Sequence, residues 1–190
     1  MLLVIMAHFH QHSLNGVTAV SYVNILGTFR IPLFFFISGF VAATLNSDKY
    51  WLKSKISKRF TMQFVPTIVM LIVYCLFFSE NIKDLLFSTF KGGYWFTIAN
   101  FEAFVVYAVV AYLLYKLRLS LKWIAMTYFT MFLLGYPINW IVSHLPGQEI
   151  FALLALQKMA SLIGFFFLGA FVRLYYPLVE CYLNKQISGG

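Results

Sequence analysis

The chain has 190 residues, 62% of them apolar and 11% charged, with a mean hydropathy of +0.82 and a formal net charge of +8. Those proportions exclude a soluble globular domain. The cations are dispersed between long apolar runs and form no single polar face, which excludes a nucleic-acid partner and makes them topology signals of an integral membrane protein.

In chain order, Met1 to Ala7 is a short apolar run ending at His8, with no basic segment before it and no small-residue cleavage site, so it is a poor signal peptide. It reads as the second half of a span whose first turns are missing. Ser13 to Thr28, with Asn15-Gly16 and Gly27, reads as a loop. The second span is expected over Phe29 to Thr44, with Pro32 in its first turn, and the third over Met62 to Ser79, with Pro66 near its start. The fourth runs Tyr94 to Tyr115, the fifth Leu121 to Val142 with a kink at Pro137, and the sixth Ile150 to Tyr175. The expected fold is therefore all-α: one polytopic transmembrane helix bundle over residues 1–190, five full spans plus a partial first span, incomplete at both ends. Lys49, Lys53, Lys55, Lys58 and Arg59 face only Asp48 in one loop, and Lys116, Arg118 and Lys122 face no acid in another. The loops Glu80 to Gly93 and Ser143 to Glu149 are neutral or slightly acidic, so the positive-inside rule puts the basic loops, the N-terminus and the tail with Lys185 in the cytoplasm.

Ionisable groups at bilayer depth are costly, so each is a candidate for function. His8 is the deepest of His8, His10 and His12, and a buried neutral imidazole suits a general base. His10 points off the face that His8 and His12 share, so the three do not make a metal site on one helix, and no metal is expected. Arg30 reads either as a snorkelling interface anchor or as the holder of an anionic group near His8. Ser38-Gly39 is a small notch in a bulky helix, either a close packing point or, through Ser38, a contact to substrate or a nucleophile that would need His8 as its base. Glu102, roughly 12 Å into its span at the standard helical rise, and Lys158 read either as a buried pair or as substrate-pathway groups. Cys75 and Cys181 lie far apart with no CxxC or zinc spacing, which favours neither a disulfide nor a thiolate site.

Three segments recur together: Leu3-Val4-Ile5-Met6-Ala7-His8; Arg30-Ile31-Pro32-Leu33-Phe34-Phe35-Phe36-Ile37-Ser38-Gly39-Phe40; and Lys58-Arg59-Phe60 followed by Val65-Pro66. In that order and spacing the chain resembles the acyltransferase 3 family of multi-span membrane O-acyltransferases. Tyr94-Trp95-Phe96 and Gly164-Phe165-Phe166-Phe167-Leu168-Gly169 are similar to later family segments. The resemblance implies a truncated member of a family with more spans. It also implies transfer of an acyl group, acetyl being the expected one, from acyl-CoA to a hydroxyl of a carbohydrate or other cell-envelope molecule.

By that resemblance His8 takes the place of the family's first-helix histidine, the base. In the mechanism expected on that footing, Arg30 or a backbone donor stabilises the oxyanion, the basic run Lys49 to Arg59, with Lys58 and Arg59 its candidates, attracts the phosphates of acyl-CoA, and Ser38 and Glu102 contact substrate. Acyl-CoA is a donor substrate, and no cofactor is implied. The expected location is a bacterial inner or plasma membrane. A competing class is an exporter of envelope polysaccharide, since Glu102, Lys158 and a kinked fifth span also suit a substrate pathway, although no inverted repeat accompanies them. A third reading is an inactive fragment.

Overall fold

The computed structural model describes residues 21–78, 81–88, 94–146 and 154–188. Helix α1 (Ser21–Ala42) is followed by α2 (Lys49–Arg59), which runs through a π-helical turn (Phe60–Phe64) into α3 (Val65–Phe78). A short α4 (Ile82–Phe87) precedes α5 (Trp95–Lys116), α6 (Leu121–His144) and α7 (Leu156–Ser188), and all secondary structure among the described residues is helical. Four stretches are long and apolar enough to cross a membrane: Lys49–Phe77, Trp95–Lys116, Leu121–His144 and Leu156–Tyr176. Phe29–Ala42 is a shorter apolar stretch within the 22-residue α1. Hydrocarbon offers no hydrogen bonds, so a crossing segment must satisfy its backbone internally, which a helix does. This is the expected all-α membrane bundle. The partial first span, with His8, His10 and His12, lies outside the described residues.

Several boundaries differ from the sequence expectation for identifiable reasons. Ser21 to Thr28, expected as loop, is the first part of α1, so Pro32 sits inside the helix and not in its first turn. Asn24 and Gly27 are turn formers only where water can take the backbone groups that a turn releases. The basic run Lys49 to Arg59, expected as loop, is helical, and its one acid is spent as the cap: Asp48 Oδ1 accepts the Trp51 N–H at 2.7 Å. The π turn follows from Pro66, which withholds the N–H that the Met62 carbonyl would take and crowds that carbonyl. One extra residue in the turn lets Val65 N–H bond Phe60 O, and the rod continues. Residues Glu80 to Gly93 include the helical turn α4. Helix α6 continues through Pro137 to His144, and α7 runs on to Ser188, past the expected end of the sixth span.

Half of the apolar window of α5 and of α7 is buried, against 17% for the α2–α3 rod and for α6, so α5 and α7 form the centre. Helix α7 packs mainly on α6 and α1. Both contacts are made at glycines. A Cβ on Gly39 would run into the Phe166 carbonyl, and one on Gly169 into the Phe36 carbonyl, so α1 and α7 touch backbone to backbone. Gly135 and Gly164 do the same for α6 and α7, where an added Cβ would stand 3.0–3.2 Å from the facing backbone.

Side-chain pairs fix the relative directions. Phe60 and Phe64 meet Phe101 at 6.0 and 5.4 Å, while Tyr74 meets Tyr94 at 6.4 Å, so the α2–α3 rod is antiparallel to α5. Tyr128 meets Phe167 at 5.7 Å and Gly135 meets Gly164, so α6 is antiparallel to α7. Lys158 over Trp95 and Tyr107 beside Phe166 make α5 and α7 parallel, and Phe34 against Phe96 with Thr44 on the Tyr107 hydroxyl does the same for α1 and α5. The chain therefore passes back and forth. One end of the bundle collects the α1–α2 connection, the α5–α6 connection and the end of α7, which are its basic segments.

Candidate functional site

At that basic end α1 stops at Ala42, and the chain turns through residues 43–48 before α2 begins. The turn is tied to the core by a hydrogen bond from Thr44 N–H to the Tyr107 hydroxyl at 3.3 Å. Tyr107 is fully buried, ringed by Tyr128, Phe166 and Phe167 at centroid distances of 5.6, 5.5 and 6.0 Å. Because α2 leaves this turn beside the end of α1, the two elements, with Met62 and Gln63 of the π turn and Phe104 of α5, border an open cavity of about 480 Å³. Lys55, Lys58 and Arg59 supply its charge, Trp51 and Phe104 its aromatic surface. The Arg59 guanidinium stands over the Phe104 ring, 4.0 Å from its centroid, a cation–π contact that fixes the deepest of the three cations. A second cavity, about 540 Å³, lies on the other side of Leu45 and is lined by Lys116 and Arg118 with Tyr115, Leu119 and Ile124. Both cavities combine positive charge with apolar or aromatic walls. That is the combination needed for an amphiphile with an anionic head.

The residues singled out from sequence fall in different places. Lys58 and Arg59 come together in the 480 Å³ cavity. Arg30 is half-buried on α1, and its Nη1 is shielded from solvent with no hydrogen-bond partner among the described residues. It stands roughly 17 Å along α1 from the cavity wall at 1.5 Å per residue, so Arg30 and the cavity cations belong to different levels of the bundle. Ser38 is half-buried beside the Gly39 crossing. Glu102 shares a face of α5 with Trp95, and its Oε2 is shielded from solvent. Lys158 Nζ lies 5.6 Å from the centre of the Trp95 ring, near the opposite end of the bundle from the cavity. His8 lies outside the described residues.

An acyltransferase domain family matches residues 1–180. The chain belongs to the acyltransferase 3 family. No curated protein and no solved structure matches it. In this acyltransferase family member the basic cavity takes Lys58 and Arg59 from one of the segments that carry the sequence resemblance, and Val41 to Thr44 directly after another. Membership supports acyl transfer as the activity and, with the apolar helices, an integral membrane protein.

Sequence reasoning placed Lys55 within the basic run expected to attract phosphates, but it missed two lining residues, Trp51 and Phe104, which are ordinary aromatics in an aromatic-rich chain, and Asn100, which lies outside the lining. Asn100, a neutral amide with no motif around it, did not stand out in the sequence. It is 3% exposed, on the buried face of α5 five residues from that helix's start. The signal available was its polarity alone.

Proposed function

We propose that the protein transfers an acyl group, acetyl being the expected one, from acyl-CoA to a hydroxyl of a carbohydrate or other cell-envelope molecule. The observation that carries the reading is the cavity of about 480 Å³ in which Lys55, Lys58 and Arg59 converge on an aromatic wall, in a chain of the acyltransferase 3 family. Phosphates of acyl-CoA dock on those cations, and the pantetheine arm enters the bundle past Phe104. The positive-inside rule makes the basic end cytoplasmic, where acyl-CoA is made, and puts the N-terminus on that side of a bacterial inner or plasma membrane. His8 removes the proton of the acceptor hydroxyl as it attacks the thioester carbonyl, Arg30 stabilises the oxyanion, and collapse of the tetrahedral intermediate breaks the C–S bond and releases CoA, whose sulfur takes the proton back from His8. Ser38 and Glu102 line the path of substrate. The roughly 17 Å between Arg30 and the cavity wall supports a reaction centre beyond the docking cavity, reached by the arm and its thioester.

The test is transfer of labelled acetyl from acetyl-CoA to envelope glycan by membranes carrying the protein. Label should appear with the native chain and fall to background in His8→Ala. Full transfer by His8→Ala removes the general-base role. Export of unmodified glycan without any labelling would replace the whole reading by that of an exporter.

A further inference from the structure

Asn100 Oδ1 is buried and has no hydrogen-bond partner among the described residues, a state that native interiors seldom tolerate in a side chain with no task. Its position along α5 suggests the task. Phe104, one helical turn away on the same face, forms the aromatic wall of the basic cavity and carries the Arg59 guanidinium. At 1.5 Å per residue Asn100 stands about 6 Å further into the bundle, away from the basic end. Small side chains flank it, since Ala99 and Ala103 are both fully buried. One turn beyond, Phe96 closes the row with its ring against Phe34 and Phe35 at 4.7 and 5.7 Å. Past the Arg59–Phe104 stack this row is apolar except for one carboxamide.

We infer that Asn100 binds the pantetheine arm of acyl-CoA, its carboxamide hydrogen bonding one of the arm's secondary amides. The inference rests on acyl-CoA being the donor, as proposed above. With its phosphates on Lys55, Lys58 and Arg59, the molecule sends inward an arm whose amides would lose their water in an apolar core. A primary carboxamide offers both a donor and an acceptor to such a group, which a hydroxyl or a charged side chain matches less well. Asn100 is thus a binding residue for the arm and takes no part in proton transfer.

The experiment measures binding to the purified protein in lipid nanodiscs with two probes, CoA and adenosine 3′,5′-diphosphate, which carries phosphates but no arm. Asn100→Leu keeps the volume of the side chain and removes its polar atoms. The variant should melt at the native temperature or above it and bind adenosine 3′,5′-diphosphate as the native chain does. Its affinity for CoA should be about three- to tenfold weaker, the share of one neutral hydrogen bond. Unchanged CoA affinity, or an equal loss for both probes, overturns the assignment. If the leucine variant does not fold, Asn100→Ser is measured instead, with the same selective loss of CoA expected. A native protein that binds neither probe overturns the acyl-CoA reading itself, whereas native binding of both probes with an unaffected variant overturns only the role of Asn100.

Discussion

With its guanidinium over the Phe104 ring, Arg59 meets the cavity through a planar cation, and a lysine at that position keeps the charge while giving up the flat stack. Arg59→Lys is therefore expected to weaken acyl-CoA binding by about five- to thirtyfold, since a partly desolvated cation–π contact is worth about 1–2 kcal/mol. Titration of the purified protein with acyl-CoA checks it, and equal affinities would mean that the stack is incidental. Tyr107 is a different kind of residue, because its hydroxyl accepts the Thr44 N–H that holds the cavity's turn. Tyr107→Phe keeps the ring among Tyr128, Phe166 and Phe167 and loses that bond. A loss of about 1 kcal/mol in stability is expected, read as a lower melting temperature in detergent. Lys58 and Arg59 were legible as phosphate-binding candidates only through the family resemblance, since clustered cations beside an apolar run by themselves read as topology signals. Tyr107 was not, because nothing along the chain marks which of many aromatic residues ends up fully buried with its hydroxyl against a backbone N–H.

The α2–α3 rod shows how local chemistry shapes an element. Asp48 starts it as an N-cap, the cations of α2 project at the basic end, and Pro66 enforces the wide turn that joins α2 to α3. Asp48→Ala should fray the first turn of α2 at a cost of about 1 kcal/mol, while Asp48→Asn should cost less, because an amide oxygen still caps. Lys55 and Lys58 lie on that helix, so acyl-CoA affinity should fall with the alanine variant and recover with asparagine. Equal binding by all three would separate the cap from the cavity. The helical state of residues 49–59 was hidden in the sequence by their charge, which looked like a loop. Charge density and helicity are independent when a helix ends beside a membrane surface, where cations are solvated without unfolding.

For the whole molecule, the glycine crossings decide whether the bundle closes. Gly39→Ala or Gly169→Ala puts a methyl group into a facing backbone carbonyl that cannot rotate away, so α1 and α7 must separate. Overpacking of this kind costs about 1–3 kcal/mol or more, and either variant should show a clearly lower melting temperature. Gly135→Ala should cost less, since its added Cβ would meet Gly164 Cα at 3.1 Å, a gap that a small shift relieves. The back-and-forth threading sets a further expectation. Lys53 near the start of the rod and Lys83 on α4, past the rod's other end, are both exposed, so single cysteines there should react with a membrane-impermeant thiol reagent from opposite sides of the membrane. Labelling of both from one side would refute the threading.

Composition and run length alone determined that this is a helical membrane protein, because the bilayer penalises every unpaired backbone group and leaves the chain few other solutions. They also marked its basic end, through the alternation of charged and neutral loops. The tertiary structure alone decided that Lys58 and Arg59 share a cavity with Trp51 and Phe104, and that Arg30 lies at another level of the bundle. It also decided that a neutral Asn100 sits in the core behind that cavity. Those facts depend on how helices rotate and cross at Gly39, Gly135, Gly164 and Gly169, and helix rotation leaves almost no trace in a sequence that is apolar on every face.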